Sequence, residues 1–252
     1  MDVLHSDWDC LLEEGQPFPV VRLGLRLVRG LGREQALRIS KARHERLPLD
    51  ANDLARRAGL DTAAMRELAA ADALRSLSGH RRQQVWEATA VERMPSLLDD
   101  AAPTEDWLEL PAPSEGEDIV FDYAATGLTL RRHPLALLRP LLAKRRLLTA
   151  QELAQAPNGR LVRTCGIVTL RQQPETAQGT TFVSLEDETG VVQVICWKGL
   201  RQKQRTVLLR SRLLAVAGRW QREGNTASLI AGHLEDLTPL LGRLATRGRE
   251  FR

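Results

Sequence analysis

From Arg160 onward the apolar residues change from helical spacing to alternation, and that switch constrains the chain more than any other feature. Leu161–Gln172 alternates as a strand, with Val162, Val168 and Leu170 set against Arg163, Thr169 and Arg171. Thr180–Asp187 reads as a second strand, Glu188-Thr189-Gly190 as a turn, and Val191–Trp197 as a third strand. Gly199–Leu209 reads as a helix or helical connection. Arg210–Gln221 and Thr226–Leu237 are two further strands, joined through the hairpin loop Arg222-Glu223-Gly224-Asn225. Three strands, a helix and two strands within roughly 80 residues is the order of an OB-fold, a five-stranded, partly open barrel.

Everything ahead of Arg160 reads as irregular or helical. Pro17 and Pro19 stop any helix in residues 1–19. From Val20 the spacing of Leu23, Leu27 and Val28 is helical, and Gly30-Leu31-Gly32 breaks it. A helix follows from Glu34 to Arg46, with Ala36, Leu37 and Ile39 apolar, and Pro48 ends that run. Residues 51–58, 62–71 and 79–92 read as three more helices, with Asn52, Asp61 or Thr62, and Ser76 or Ser78 as N-caps. Between Asp99 and Asp118 stand eight acidic residues and no basic one, together with Pro103, Pro111 and Pro113, which is the composition of a linker. Helices return at Leu135–Arg146, opened by Pro134, and at Ala150–Ala156, capped by Thr149. The expected class is α+β in two lobes: an N-terminal all-α tandem helix-hairpin-helix bundle and a C-terminal five-stranded OB-fold β-barrel. The expected divisions are an irregular lead-in at 1–19, the helix-hairpin-helix domain at 20–94, an acidic linker at 95–120, a helical connector at 121–157, the OB-fold at 158–238 and a basic tail at 239–252.

Net charge over the 252 residues is only +4, but it is unevenly placed. Residues 159–252 carry 15 Lys+Arg against 8 Asp+Glu, and such basic regions favour polyanions. Cys10, Cys165 and Cys196 are odd in number and widely spaced, which argues against a disulfide framework or a metal site. No stretch approaches 18 apolar residues, and Met1–Glu14 has no apolar core of a signal peptide. The composition is that of a reduced, cytoplasmic, soluble protein without a membrane partner.

The sharpest local motif runs from Val28 to Ile39. Gly30 and Gly32 flank Leu31, and a helix opens at once. The glycines permit a tight hairpin and a close backbone approach. Amides at the following helix start can bind phosphate, with charge added by Arg33 and Arg38. Such a site grips DNA backbone without reading bases. The alternative is an ordinary corner between two helices with glycine past a helix end. A second, similar unit at Leu68–Leu77 has Asp72 at its turn, where a carboxylate repels phosphate, and reads as structural.

In the OB-fold, Phe182 and Trp197 are candidates to stack on bases, or else they belong to the core. Arg163, Thr169, Arg171, Lys198, Arg219 and Arg222 are candidates to line a backbone groove, which makes this face a single-strand DNA site. No catalytic site is legible. The clustered carboxylates that hold two metals are missing, the five histidines are scattered, and Glu186-Asp187-Glu188 fits turn chemistry better than cation binding. No P-loop, nucleophile elbow or dinucleotide glycine motif is present.

Several segments together resemble one family. Val21-Arg22-Leu23-Gly24-Leu25-Arg26-Leu27-Val28-Arg29-Gly30-Leu31-Gly32 looks like the helix-hairpin-helix entry of bacterial C-family DNA polymerases, the polymerase III alpha-subunit type. Ser6-Asp7-Trp8-Asp9-Cys10, Thr126–Pro134, Ser184–Gly190 and Leu237–Leu244 resemble its error-prone, ImuC-type branch. The resemblance covers essentially the whole chain. It implies that the PHP, palm, thumb and fingers domains, with the catalytic aspartates and their Mg2+, lie ahead of this region, so that the chain is a truncated, non-catalytic piece needing no cofactor of its own. The intact protein is then implied to be a DNA-directed DNA polymerase, a nucleotidyltransferase of damage-induced mutagenic translesion synthesis and repair, associated with the nucleoid. Its implied partners are primer-template DNA, a mutasome protein resembling an inactive Y-family polymerase, RecA-related factors and the sliding clamp. Two departures stand out. Residues 93–120 hold no glutamine-led, Phe-ending clamp peptide, which fits indirect clamp contact, and Asp72 replaces the glycine usual in the second hairpin. The competing reading is an interaction scaffold that docks mutasome partners and has little DNA affinity.

Overall fold

A computed structural model describes residues 1–90, 109–224 and 226–241. The chain divides into two compact units, one within Met1–Leu130 and one within Arg131–Arg247. Residues 91–108 and 242–252, and with them most of the acidic linker, the clamp-peptide region and the basic tail, lie outside the described residues, as does Asn225 of the hairpin loop.

The first unit opens with a short antiparallel pair, β1 (Leu11–Glu13) and β2 (Val20–Arg22), in the register Leu12↔Val21. This corrects two expectations. Residues 1–19 are not wholly irregular, and no α-helix starts at Val20: the β-branched pair Val20-Val21 is extended, and only Leu25–Leu27 forms a 3-10 turn. The N-terminal strap is fixed to the bundle. The Val3 amide donates to the Ala73 carbonyl at 2.9 Å, and Arg43 donates to the carbonyls of Val3 (3.1 Å) and Ser6 (2.9 Å).

The helices α1 (Arg33–Glu45), α2 (Ala51–Ala58), α3 (Thr62–Ala70), α4 (Arg75–Ser78), α5 (Arg81–Ala90) and α6 (Glu115–Ala125) follow. In α1 the residues Ala36, Ile39 and Ala42 recur three apart and are buried, whereas Leu37 points out and is 52% exposed. Asp50, not Asn52, caps α2 by accepting from the Asp53 amide at 2.7 Å, and Asp61 caps α3. Neither Ser76 nor Ser78 caps a helix: Ser76 instead donates through its amide and hydroxyl to Asp2 Oδ2. Asp53 is buried in the first turn of α2. Burial alone would raise its pKa, but the Leu49 amide and Arg56, with the charges of Arg46 and Arg57, hold the carboxyl below its ordinary value.

Helix α6 begins inside the stretch whose acidity reads as linker. Ser114 and Glu117 form a reciprocal capping box, which uses the acidic first turn against the helix dipole. Its buried face is held by Arg81, only 2% exposed. That guanidinium donates to the Asp118 carbonyl (2.7 Å), to Asp118 Oδ1 (3.1 Å) and to Asp122, and lies 5.6 Å from the Phe121 ring centre.

In the second unit α7 (Pro134–Lys144) and α8 (Ala150–Ala154, capped by Thr149) precede the barrel. The barrel strands are β3 (Leu161–Gln172), β4 (Thr181–Asp187), β5 (Gly190–Cys196), β6 (Leu213–Glu223) and β7 (Thr226–Asp236), closed in the order β3-β4-β5-β7-β6. Two short helices, α9 (Lys198–Lys203) and α10 (Arg205–Arg210), join β5 to β6, and α11 (Thr238–Leu241) follows β7. Val183, Leu185, Val194, Leu208, Leu214, Val216 and Leu229 fill the inside. Gly218 sits at the bulge between β6 and β7, where a Cβ would fall 2.1 Å from the Ile230 carbonyl oxygen, so only glycine fits. The chain is thus α+β, with a helical N-terminal unit and a closed five-stranded C-terminal barrel.

The Arg81 cluster predicts a sharp contrast. Arg81→Ala leaves two acidic groups facing a lost buried cation and should cost about 3–5 kcal/mol of folding stability. Arg82→Ala, whose Glu117 pair is solvent-facing, should cost less than about 1 kcal/mol. Denaturant unfolding of the two variants beside the parent chain checks this.

Candidate nucleic-acid interface

In the first hairpin Gly30 has φ +87°, a left-handed conformation that favours glycine. Leu31 is not a surface contact: it is 7% exposed and wedges into the bundle core, its amide bonded to the Val28 carbonyl at 3.3 Å. The Gly32 amide is bound by Gln35 Oε1 at 2.8 Å. The first backbone bond of α1 runs from the Ala36 amide to the Gly32 carbonyl, so the amides from Arg33 to Gln35 are the ones a helix leaves open for a ligand. Arg33 and Arg38 are both exposed, but five helical residues turn them about 140° apart. The hairpin therefore gathers Gly30, Gly32 and Arg33, while Arg38 stands on another face. Two carboxylates work against phosphate here: Glu34 in the first turn of α1, and Glu67, whose side chain lies 3.2 Å from where a Gly30 Cβ would be. Arg29 is committed to the Ala124 carbonyl at 2.9 Å.

At the second hairpin Asp72 occupies the left-handed position with φ +58°. Its carboxylate accepts from Gln84 Nε2 at 2.6 Å and from Arg75 at 3.1 Å, so it fastens α5 to the turn. The missing glycine is replaced by a side chain whose bonds stabilise the bend.

On the barrel, Phe182 pairs with Ile195 across β4 and β5, and Ile195 pairs with Ile230, which pairs with Arg219. The alternate positions Val183, Val194, Leu229 and Trp220 are buried, so this row faces outward. Phe182 is 37% exposed, and Trp197, at the start of α9, is 55% exposed. Both aromatics are on the surface rather than in the core. Gln172 and Leu170 continue the face onto β3, and Ser184 bonds Gln193 within it at 3.1 Å. The floor is therefore aromatic, aliphatic and neutral polar, with the exposed Arg219 at its β6 edge. Sequence reading missed Ile195, Ile230 and Gln172; their signal was the pairing register, which no single strand carries.

Of the basic candidates on β3, Arg171 is displaced from the expected face. A bulge between Val168 and Leu170 inserts Thr169 and inverts the alternation, so Arg163 and Arg171 do not share one side. Arg171 pairs with the core residue Val183 and donates to the carbonyls of Leu208 (2.7 Å) and Ser211 at the end of α10, and burial lowers its pKa. Thr169 bonds the Ser184 carbonyl at 3.3 Å. Arg163 lies beside β6 and pairs with Glu235 at 3.7 Å. Arg222 donates to the Ala154 carbonyl and lines a cleft with Ala150, Ala154, Val192, Trp220 and Ala227. Lys198 and Arg219 are exposed and reach solvent.

The acidic turn is closed on itself. Asp187 Oδ1 accepts from the Thr189 amide and hydroxyl (both 2.7 Å) and from the Gly190 amide, while Oδ2 accepts from the Ala150 amide at 2.8 Å. Glu188 pairs with Arg139, which outweighs burial and holds its carboxyl below the usual range. Among the described residues no group of three His, Cys, Asp or Glu side chains is placed to hold a metal. Burial pushes the Cys165 thiol up to about 12 and the Cys196 thiol up to about 11, so neither is a thiolate at neutral pH.

Each of these units matches a family model. Residues 1–84 match the helix-hairpin-helix motif, and residues 162–237 match the OB-fold nucleic acid binding domain. Over its whole length the chain is related to a segment of the error-prone DNA polymerases. It is 50% identical over 252 residues to an error-prone DNA polymerase of Alkalilimnicola ehrlichii, covering all of this chain and 25% of that protein. It is 48% identical over 262 residues to one of Ralstonia pickettii, covering 99% and 24%. The chain thus spans about a quarter of the length of these relatives. Among solved structures, asparaginyl-tRNA synthetase from Pyrococcus horikoshii matches 36% of this chain and 23% of its own at 20% identity, with a TM-score of 0.32, too low to carry an argument.

Because Arg171 caps α10, Arg171→Ala should lower folding stability by about 1–3 kcal/mol through unpaired carbonyls. It should leave single-strand DNA affinity nearly unchanged where the variant is folded. Chemical denaturation and fluorescence anisotropy on the same samples separate the two effects.

Proposed function

We propose that this chain is a non-catalytic DNA-binding region of an error-prone DNA polymerase that acts in damage-induced mutagenic translesion synthesis and DNA repair. The first hairpin, through Gly30, Gly32 and Arg33, holds duplex backbone, and the outer face of the barrel holds the template single strand. The observation that carries this reading is the exposed pair Phe182 and Trp197 beside a partly apolar sheet face edged by Arg219. Bases stack on such a surface whatever their sequence. The intact enzyme would be a nucleotidyltransferase whose palm and Mg2+ lie in the part of the polypeptide that this chain does not include. A mutasome partner resembling an inactive Y-family polymerase, and the sliding clamp reached indirectly, complete the proposed assembly, in the cytoplasm at the nucleoid. Among the described residues no helix is long and apolar enough to cross a membrane.

A second reading, a scaffold for mutasome proteins, is favoured by Glu34 and Glu67 at the hairpin and by the partnered Arg163, Arg171 and Arg222. Titration of the chain with an oligo-dT strand and with a duplex, at several salt concentrations, tells them apart. DNA binding predicts affinity that falls steeply with salt. Phe182→Ala and Trp197→Ala should each cost about 1–3 kcal/mol of single-strand binding. Weak affinity that does not change with salt would leave the scaffold reading in possession.

A further inference from the structure

From Thr189 to Arg222 the chain carries eight Lys+Arg and no Asp or Glu. The net charge of the whole chain is +4, so this one stretch outweighs the rest. Six of the eight lie on the α9–α10 connection: Lys198, Arg201, Lys203, Arg205, Arg210 and Arg212. None forms an ion pair among the described residues, in contrast to Arg163, which is held by Glu235.

The fold sorts this connection into two faces. Leu208 is buried in the barrel core, and Leu200 and Val207 pack partly buried against it. Gln204, at the junction of the two helices, bonds the Leu234 carbonyl (2.8 Å) and amide (2.9 Å) of β7. Ser211 is buried and its hydroxyl donates to the Val207 carbonyl at 2.7 Å. With these positions turned to the barrel, Lys198, Lys203, Arg205, Arg210 and Arg212 are left exposed. A dense cluster of cations fixed on a rigid support, with no acidic neighbours in the segment, repels itself and costs stability unless a polyanion neutralises it. Trp197 stands at the start of α9. The Gly179 turn, which leads into the Phe182 strand, lies against it, with a Gly179 Cβ position 3.5 Å from Lys198 and 3.7 Å from Arg201.

We infer that the α9–α10 connection is the phosphate track for the single strand, continuing from the Phe182 and Trp197 stacking surface. The strand leaves the sheet face over Trp197, and its backbone is held by Lys203, Arg205, Arg210 and Arg212, with Arg205 and Arg210 on opposite flanks of α10. The stacking face supplies few free charges of its own, so the salt-sensitive part of binding is placed on these helices rather than on β3. This deepens the proposed function and rests on it.

The test compares the 252-residue chain with a variant carrying Lys203→Gln, Arg205→Gln, Arg210→Gln and Arg212→Gln. Oligo-dT binding is read by anisotropy across salt concentrations. Each lost phosphate contact should reduce the slope of log affinity against log salt by about 0.7, and loss of all four should weaken binding roughly 100-fold at 0.1 M salt. These side chains have no ion-pair partner to lose and their mutual repulsion is relieved, so the melting curve should not fall. Should the fourfold variant fold poorly, the four single variants must each show a slope reduction of about 0.7. If the parent chain binds and the neutralised variants keep its slope, the track is wrong while the proposed function stands. If the parent chain does not bind oligo-dT at all, both fail together.

Discussion

The barrel depends on one strand that serves two neighbours in succession. The first part of β3, Leu161–Ile167, pairs with β6, and the part from Ile167 to Gln172 pairs with β4. Without that hand-over the five strands would form an open sheet with two edges, and the core of Val183, Val194, Leu214 and Leu229 would lose its far wall. The bulge between Val168 and Leu170 lies in the half bonded to β4. It resets which side chains face out, so the strand's geometry decides the chemistry of the surface. Arg171 goes to the barrel end and Gln172 goes beside Phe182.

This explains why the sequence was so legible in one respect and misleading in another. Alternation and turn residues are local, and the five strands follow from them to within about three residues, with the single connection expected at Gly199–Leu209 found as the two helices α9 and α10, and with Thr149 and, of the pair Asp61 or Thr62, Asp61 as caps. The bulge is not local. It lies just past Ile167, where the strand changes partner, and nothing in Val168-Thr169-Leu170 announces it. The same holds for α6. Its acidic composition reads as linker until Arg81, more than thirty residues upstream, is seen to bury its guanidinium against Asp118 and Asp122. The Val20-Val21 pair likewise needed a strand partner at Leu11–Glu13 to declare itself extended.

Charge sorting was the other hidden layer. Residue type alone offers Arg163, Arg171, Arg219 and Arg222 equally to a phosphate. The structure commits Arg171 and Arg222 to helix-end carbonyls and Arg163 to Glu235, and leaves Arg219 and the α9–α10 cations free. In the helical unit the same sorting weakens the first hairpin, where Glu34 and Glu67 offset Arg33, and turns Asp72 from a repulsive carboxylate into a fastener for α5.

The central claim is that the outward row through Phe182 and the neighbouring Trp197 is a stacking surface for single-stranded DNA. The most direct measurement is photo-crosslinking of a halogenated-uracil oligonucleotide to the chain, with the attached peptide mapped by mass spectrometry. The account predicts crosslinks at Phe182 or Trp197 that are lost when the aromatic is replaced by alanine. Crosslinks confined to residues 28–38, or none above background at saturating oligonucleotide, would contradict it.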